Sequence, residues 1–198
     1  LKMFAKNKYK SQQDESLMQL LKKGNTQAFD ELYNRYSNRL LHYFYRMLGN
    51  NEEKAQDFLQ DLFLKVVEKP EMFNTKRRLS TWLFSVASNM CKNEYRRLKV
   101  RQNGSIYVGD FNVTEKDIVL PKIEQQIDSR HFKKLVLGEL SNMSEVKRSV
   151  FLLRYQEQFS IKEISDILNC SEGTIKSRLF YTTNALAEKL QAYNPSVL

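Results

Sequence analysis

Glycine and proline are scarce in this chain, six and three among 198 residues. Beside abundant Leu, Lys, Glu and Gln, that scarcity argues against a sheet protein and for helices throughout. Cysteine is limited to Cys91 and Cys170, far apart and without a CxxC pair. Neither a disulfide framework nor a metal site is indicated, and two such thiols fit a reducing, cytoplasmic setting. The two histidines, His42 and His131, lack ligand-like neighbours. No Walker loop, nucleophile elbow or HExxH is present, so no catalytic, metal or cofactor residue is assigned and no enzyme is expected. No apolar run approaches a membrane span and no charged-then-apolar leader opens the sequence, so membrane insertion is not expected. Acidic residues are short too: 23 Asp and Glu against 32 Lys and Arg leave a formal charge of +9. That balance favours a polyanionic partner without choosing between nucleic acid and a membrane surface. An apolar fraction of 41% is enough for packed cores.

The stretch from Phe73 to Leu98 organises the rest. An aromatic and basic loop, with Lys76, Arg77 and Arg78 between Phe73 and Trp82, feeds a helix with two faces. Leu83, Val86, Ala87, Met90 and Leu98 recur at core spacing. Ser85, Ser88, Asn89, Lys92, Asn93 and Arg96 form another side, hydrogen-bonding groups that end in cations. Such a face can be plain solvated surface. Interleaved cations and aromatics also suit a nucleic-acid strand, the cations for phosphate and the aromatics for unstacked bases.

Taken in order, residues 1–13 read as a loose basic tail. Asp14 can cap a short helix carrying Leu17, Met18, Leu20 and Leu21 and ending at Gly24. Asn25 or Thr26 starts a long helix with Phe29, Leu32, Tyr33, Tyr36, Leu40, Leu41, Phe44 and Leu48 in period, stopped by Gly49. Glu52 to Glu68 forms a third, with Ala55, Phe58, Leu59, Leu62, Phe63 and Val66 inward. The helix from Ser80 or Thr81 to Leu98 completes a first domain, 14–98. Residues 99–124 hold Gly104, Gly109 and Pro121 without a sustained period and read as a flexible linker.

A second domain, 125–192, follows, with a tail at 193–198. Its first helix ends about Leu140 and carries Phe132, Leu135 and Val136. Ser144 with Glu145 starts the next, which buries Val150, Phe151, Leu153 and Tyr155. Ser160 and Glu163 form a capping box ahead of Ile161, Ile164, Ile167 and Leu168. Asn169-Cys170-Ser171 makes a tight turn, and Ser171 caps a last helix with Ile175, Leu179, Leu186 and Leu190 inward. Two helices joined by a three-residue turn, with small Ser165 where they cross, match a helix-turn-helix. The second helix would present Glu172, Thr174, Lys176, Ser177, Phe180 and Tyr181 to a major groove. A plain αα-corner in a helical bundle has the same outline. The fold class expected is all-α, two four-helix domains joined by a flexible linker.

Four segments in order, AQDFLQDLF at 55–63, STWLFSVASN at 80–89, VFLLRY at 150–155 and GTIKSR at 173–178, resemble the extracytoplasmic-function (ECF) sigma factors of bacteria. The resemblance spans about Asp14 to Leu190. It implies a promoter-recognition subunit that binds core RNA polymerase. A sigma2-like first domain would dock on the polymerase and open the −10 element, and a sigma4-like second domain would bind the −35 element as duplex. Asp57, Gln60, Asp61, Phe63 and Lys65 match the polymerase-docking helix. Phe73 and Asn74 match the loop that pockets a flipped −10 base, with Lys76, Arg77 and Arg78 beside them. Asn89 matches a polar residue that reads that base, near Ser85, while Lys92, Arg96 and Arg97 would neutralise the strand backbone; Trp82 would pack in the core beneath the loop. Lys176, Ser177, Phe180 and Tyr181 match groove-facing positions, with Thr174, Arg178 and Glu172 near them. Thr75 to Arg78 depart from the family's loop pattern, and Tyr181 stands where a basic residue is frequent. Ser144 replaces a common proline, and Asn169 the usual turn glycine. An anti-sigma factor, often membrane-bound, is implied as a further partner.

Overall fold

The computed structural model describes residues 8–74, 77–102 and 128–190, with backbone alone at 102 and 128–131. Every regular element among them is helical. The chain divides into two compact units, Leu1–Glu94 and Tyr95–Leu198. The linker expected at 99–124 lies outside the described residues from 103 onward, and the helix before it runs to Gln102 rather than stopping at Leu98. The tail expected at 193–198 is also outside them.

The first unit holds α1 (Asp14–Lys22), α2 (Thr26–Met47), α3 (Glu52–Glu68), a short 3-10 turn at Pro70–Met72, and α4 (Leu79–Gln102) as far as Glu94, its remainder from Tyr95 falling in the second unit. Its stops and starts are local. Gly24, at φ 82°, closes α1, and the Asn25 side chain accepts from Ala28 N at 3.0 Å to open α2. Gly49 and Asn50 both take positive φ, and Asn51 caps α3 through Lys54 N at 2.9 Å. Arg46 braces this turn. It lies 5.1 Å from the Tyr45 ring and donates to Asn50 Oδ1, and burial lowers its pKa from the ordinary guanidinium value. The core gathers Leu17, Met18, Leu40, Tyr43, Phe44, Leu62, Phe84 and Ala87. Tyr43 sits edge-on to Phe84 at 5.4 Å, and Phe44 to Phe58 at 5.6 Å.

Three expectations are corrected here. Asp14 is the first residue of α1, not its cap, and Gln13 in the cap position makes no side-chain bond. The Asp14 carboxylate serves α2 instead, accepting from Arg35 at 2.6 Å and from the Tyr36 hydroxyl. Residues 8–13 are not a loose tail: Arg35 Nη2 donates to the carbonyls of Tyr9 and Lys10, and its Nη1 to that of Gln12, each at 2.9 Å. Burial works against the Arg35 charge, yet Glu31 and Asp14 outweigh it and hold its pKa above the ordinary value. Ser88 is buried, and its hydroxyl lies 2.7 Å from Tyr43 Oη. A polar residue placed on the open face of α4 by spacing alone thus belongs to the core.

Tyr36 gives this network a pH signature. Burial first, then the bond to Asp14, keep its phenol protonated well past the ordinary value of 10.0. The unfolded chain would lose that proton near pH 10, so the group's contribution is complete below this point and falls as pH rises above it. Tyr36→Phe is expected to lower Tm at neutral pH, because Asp14 loses a donor, and to flatten the decline of Tm between roughly pH 9 and 11. Thermal melts across that range check it; parallel declines would show that Tyr36 is not the group responsible.

The second unit holds α5 (Asp128–Ser141), α6 (Glu145–Phe151), a π-turn at Leu152–Gln156, α7 (Ile161–Leu168) and α8 (Glu172–Lys189). Arg148 of α6 is 4% exposed and donates to the carbonyls of Leu140, Ser141 and Met143 at 2.6–3.0 Å, closing the end of α5. Ser144 occupies the N-cap of α6 and Glu145 its first position, as expected, although the Ser144 side chain makes no cap bond. The π-turn was not legible in the sequence. Its wider turn admits an extra residue, so Leu152 and Leu153 both point inward while Tyr155, expected in the core, is half exposed. The α7–α8 corner follows its sequence signals closely. Ser160 and Glu163 form the reciprocal box, Asn169 adopts φ 50° and ψ 55°, and Ser171 accepts from Thr174 N. Ser165 packs at the crossing and donates to the Cys170 carbonyl.

Candidate functional site

Three exposed faces carry the predicted residues, on α3, α4 and α8. On α3, Asp57, Gln60, Asp61 and Lys65 are all exposed at helical spacing. Phe63, which the resemblance matched to the docking face but spacing read as inward, is in the core. It is 4% exposed and packs against Phe29 at 5.9 Å and Tyr33 at 4.8 Å. Two residues that sequence reasoning passed over join the face: Leu64 at 52% exposure and Val67 at 45%. The available signal was an excess of apolar residues. Leu62-Phe63-Leu64 followed by Val66-Val67 is more than one buried stripe can hold. The result is a mixed acidic and apolar surface.

On α4 the exposed row is Asn89, Lys92, Asn93 and Arg96, with Arg97 adjoining and Ser85 half-buried one turn earlier. Amides at one end and cations at the other can supply base contacts and phosphate contacts in succession along a strand. The helix opens at Leu79, ahead of the expected Ser80 or Thr81, because its start is satisfied from a distance. Glu15 on α1 accepts from Leu79 N at 3.0 Å. The last turn carries Lys99 and Arg101, which extends the basic row.

The loop before α4 differs most from expectation. Phe73, assigned to a base pocket, is 1% exposed, with its ring 5.4 Å from that of Trp82. Lys22 anchors its carbonyl at 3.0 Å. An aromatic ring with a free choice between water and a packed neighbour goes to the neighbour. Trp82 packs against it as expected but is the half-buried member of the pair. Asn74, Arg77 and Arg78 are exposed, and Lys76 lies outside the described residues.

On the second unit, α8 presents Glu172, Lys176, Ser177, Phe180 and Tyr181 as exposed residues. Thr174 is half-buried and bonded to the Ser171 cap. Arg178 is half-buried as well, its Nη1 3.6 Å from Cys170 Sγ, which turns it away from the centre of the stripe. This is the second helix of a tight helical corner with its early residues open, the geometry of a major-groove reader. Among the described residues no cluster of His, Cys, Asp or Glu could hold a metal, and no helix is long and apolar enough to cross a membrane.

Comparison with known proteins places both units. The Sigma-70 region 2 family matches residues 32–101, and the Sigma-70, region 4 family matches residues 134–180. The chain is 29% identical over 177 residues to the ECF RNA polymerase sigma factor SigW of Bacillus subtilis, covering 86% of this chain and 93% of that one. It is 27% identical over 185 residues to the ECF RNA polymerase sigma-E factor of Haemophilus influenzae, covering 90% and 95%. Among solved structures it is similar to the sigma factor RpoE of Bartonella quintana, determined in complex with the anti-sigma factor NepR. The identity is 26% and the TM-score 0.62, over 82% of this chain and 96% of that one.

Proposed function

The chain belongs to the sigma-70 family, as an RNA polymerase sigma factor of the extracytoplasmic-function type, and from this premise we propose how its two units divide the work. The protein binds core RNA polymerase and directs promoter-specific initiation. It is not itself an enzyme; it lends sequence selectivity to an active site on another subunit. The observation that carries the division is the pair of exposed polar groups, Asn89, Lys92, Asn93, Arg96 and Arg97 on α4 and Lys176 with Ser177 on α8, each within one of the two matched regions.

The first domain, from Asp14 through α4, docks through Asp57, Gln60, Asp61 and Lys65, with Leu64 and Val67 adding apolar area that a purely charged face would lack. Asn89 reads an extruded base of the −10 element, helped by Asn74 and Ser85, while Arg77, Arg78, Lys92, Arg96 and Arg97 neutralise phosphates. The second domain sets α8 into the −35 duplex, with Lys176 and Ser177 at base edges and Arg178 nearer the backbone. A protein that acts with RNA polymerase would work in the cytoplasm. An anti-sigma factor covers these faces when transcription is not required, as NepR binds its sigma factor in the Bartonella complex. A pull-down from native cells that recovers polymerase and never such a protein would count against that partner.

Transcription in vitro from a genomic-fragment library, with core polymerase present and this chain added or withheld, tests the assignment. New start sites sharing two upstream motifs about one and a half to two DNA turns apart are expected. Asn89→Ala should weaken promoter opening and leave core binding intact. Lys176→Ala should relax −35 preference by about 1–3 kcal/mol. Duplex binding without core and no new start sites would instead indicate a stand-alone helix-turn-helix regulator.

A further inference from the structure

The exposed stripe of α8 ends in two aromatic side chains that the core does not use. Phe180 and Tyr181 are 59% and 61% exposed, with ring centroids 5.5 Å apart and planes at 75°. The inward positions of the helix are Ile175, Leu179, Thr182 and Leu186. At spacings of three and four, Gly173, Lys176, Ser177, Phe180, Tyr181 and Asn184 share one open face. The edge-to-face contact favours one mutual arrangement of the two rings. The next turn withholds its hydroxyls. Thr182 Oγ1 donates to the Arg178 carbonyl, and Thr183 Oγ1 to those of Leu179 and Phe180. Between Ser177 and Asn184, the outward face is therefore dominated by the two aromatic rings.

On a base edge in the major groove, the apolar feature is the C5 methyl of thymine. We propose that the Phe180–Tyr181 pair selects a 5-methylpyrimidine, thymine in ordinary DNA, at one position of the upstream element. The inference rests on the assignment of α8 to that element as duplex. Lys176 and Ser177, one turn earlier, supply the charged and hydrogen-bonding contacts, and the aromatic pair adds an apolar one. The Tyr181 hydroxyl gives the outer ring a polar end, which keeps the pair wettable in the free protein. A protein-docking patch would have apolar neighbours along the stripe. Here the neighbours are Gly173, Lys176, Ser177 and Asn184, which suits a nucleic-acid groove better.

The test uses holoenzyme assembled from core polymerase and the full chain, with a duplex carrying the upstream element mapped by transcription. Each thymine on either strand is replaced in turn by uracil, which removes the methyl and nothing else. At one position uracil is expected to weaken binding about fourfold, the value of one buried methyl. A C·G pair placed there should regain a similar factor when the cytosine is 5-methylated. Phe180→Ala and Tyr181→Ala holoenzymes should bind the thymine and uracil duplexes alike, with unchanged melting curves because both side chains are exposed. If Lys176→Ala relaxes upstream selectivity while every uracil is neutral, the methyl contact is overturned and the helix assignment stands. If Lys176→Ala leaves selectivity unchanged as well, both fall together. Loss of core binding in the aromatic variants, with neutral uracils, would reassign the pair to a protein face.

Discussion

Phe73→Ala is expected to destabilise the first unit by about 3–5 kcal/mol, the usual cost of emptying a buried aromatic site. The ring is 1% exposed and rests on Trp82, so its removal opens a cavity beneath the start of α4. Trp82 is the chain's one tryptophan, which makes its emission a direct reporter. The variant should show red-shifted fluorescence together with a lowered denaturant midpoint. Promoter opening and core binding should fall together, since docking helix and strand-facing helix share this core. A variant of normal stability that binds core and fails only at opening would mean that Phe73 leaves the core to meet DNA. Phe73→Leu, which keeps most of the volume, should recover more than half of the lost stability.

Arg148→Ala should cost the second unit about 2–4 kcal/mol. The guanidinium is buried and serves the carbonyls of Leu140, Ser141 and Met143, which the end of α5 cannot satisfy within itself. Truncation removes these donors, and of the three carbonyls Leu140 keeps its bond from Met143 N at 3.1 Å. Arg148→Lys is expected to rescue little, because one ammonium cannot reproduce a planar fork reaching several acceptors. Hydrogen exchange should show early opening of α5 and α6, and −35 selectivity should be lost while core binding through α3 persists. Exchange confined to the α7–α8 corner would place the weak point elsewhere. The corner carries its own caps at Ser160, Glu163 and Ser171, so it should be the last part of this unit to yield.

Much of the fold was written in short-range chemistry. Gly24, Asn25, Gly49 and Asn51 bound their helices through φ preference and side-chain caps that act within four residues. The capping box at Ser160 and the left-handed Asn169 are equally local, so the helix-turn-helix could be read directly. The exposed row of α8, and that of α4 apart from Ser88, followed from helical spacing for the same reason, whereas the α3 row was implied by the family resemblance. Misreadings fell where a residue's partner is remote in sequence. Asp14 has the chemistry of a cap, yet Arg35 and Tyr36 claim its carboxylate. Ser88 looks solvent-facing by spacing, yet Tyr43 draws it inside.

The amino-acid sequence by itself determined the all-helical class, the places where most helices begin and end, and which turn brings α7 against α8, because each depends on neighbours along the chain. Tertiary structure alone decided that Phe73 rather than Trp82 is buried, that Glu15 opens α4, that Arg35 ties down residues 8–13, and that a π-turn carries Tyr155 outward. The physical reason is the same in each case. Burial and long-range hydrogen bonds are settled between segments that meet only after folding, and a carboxylate, guanidinium or aromatic ring has several local partners of similar worth until one distant contact outweighs them.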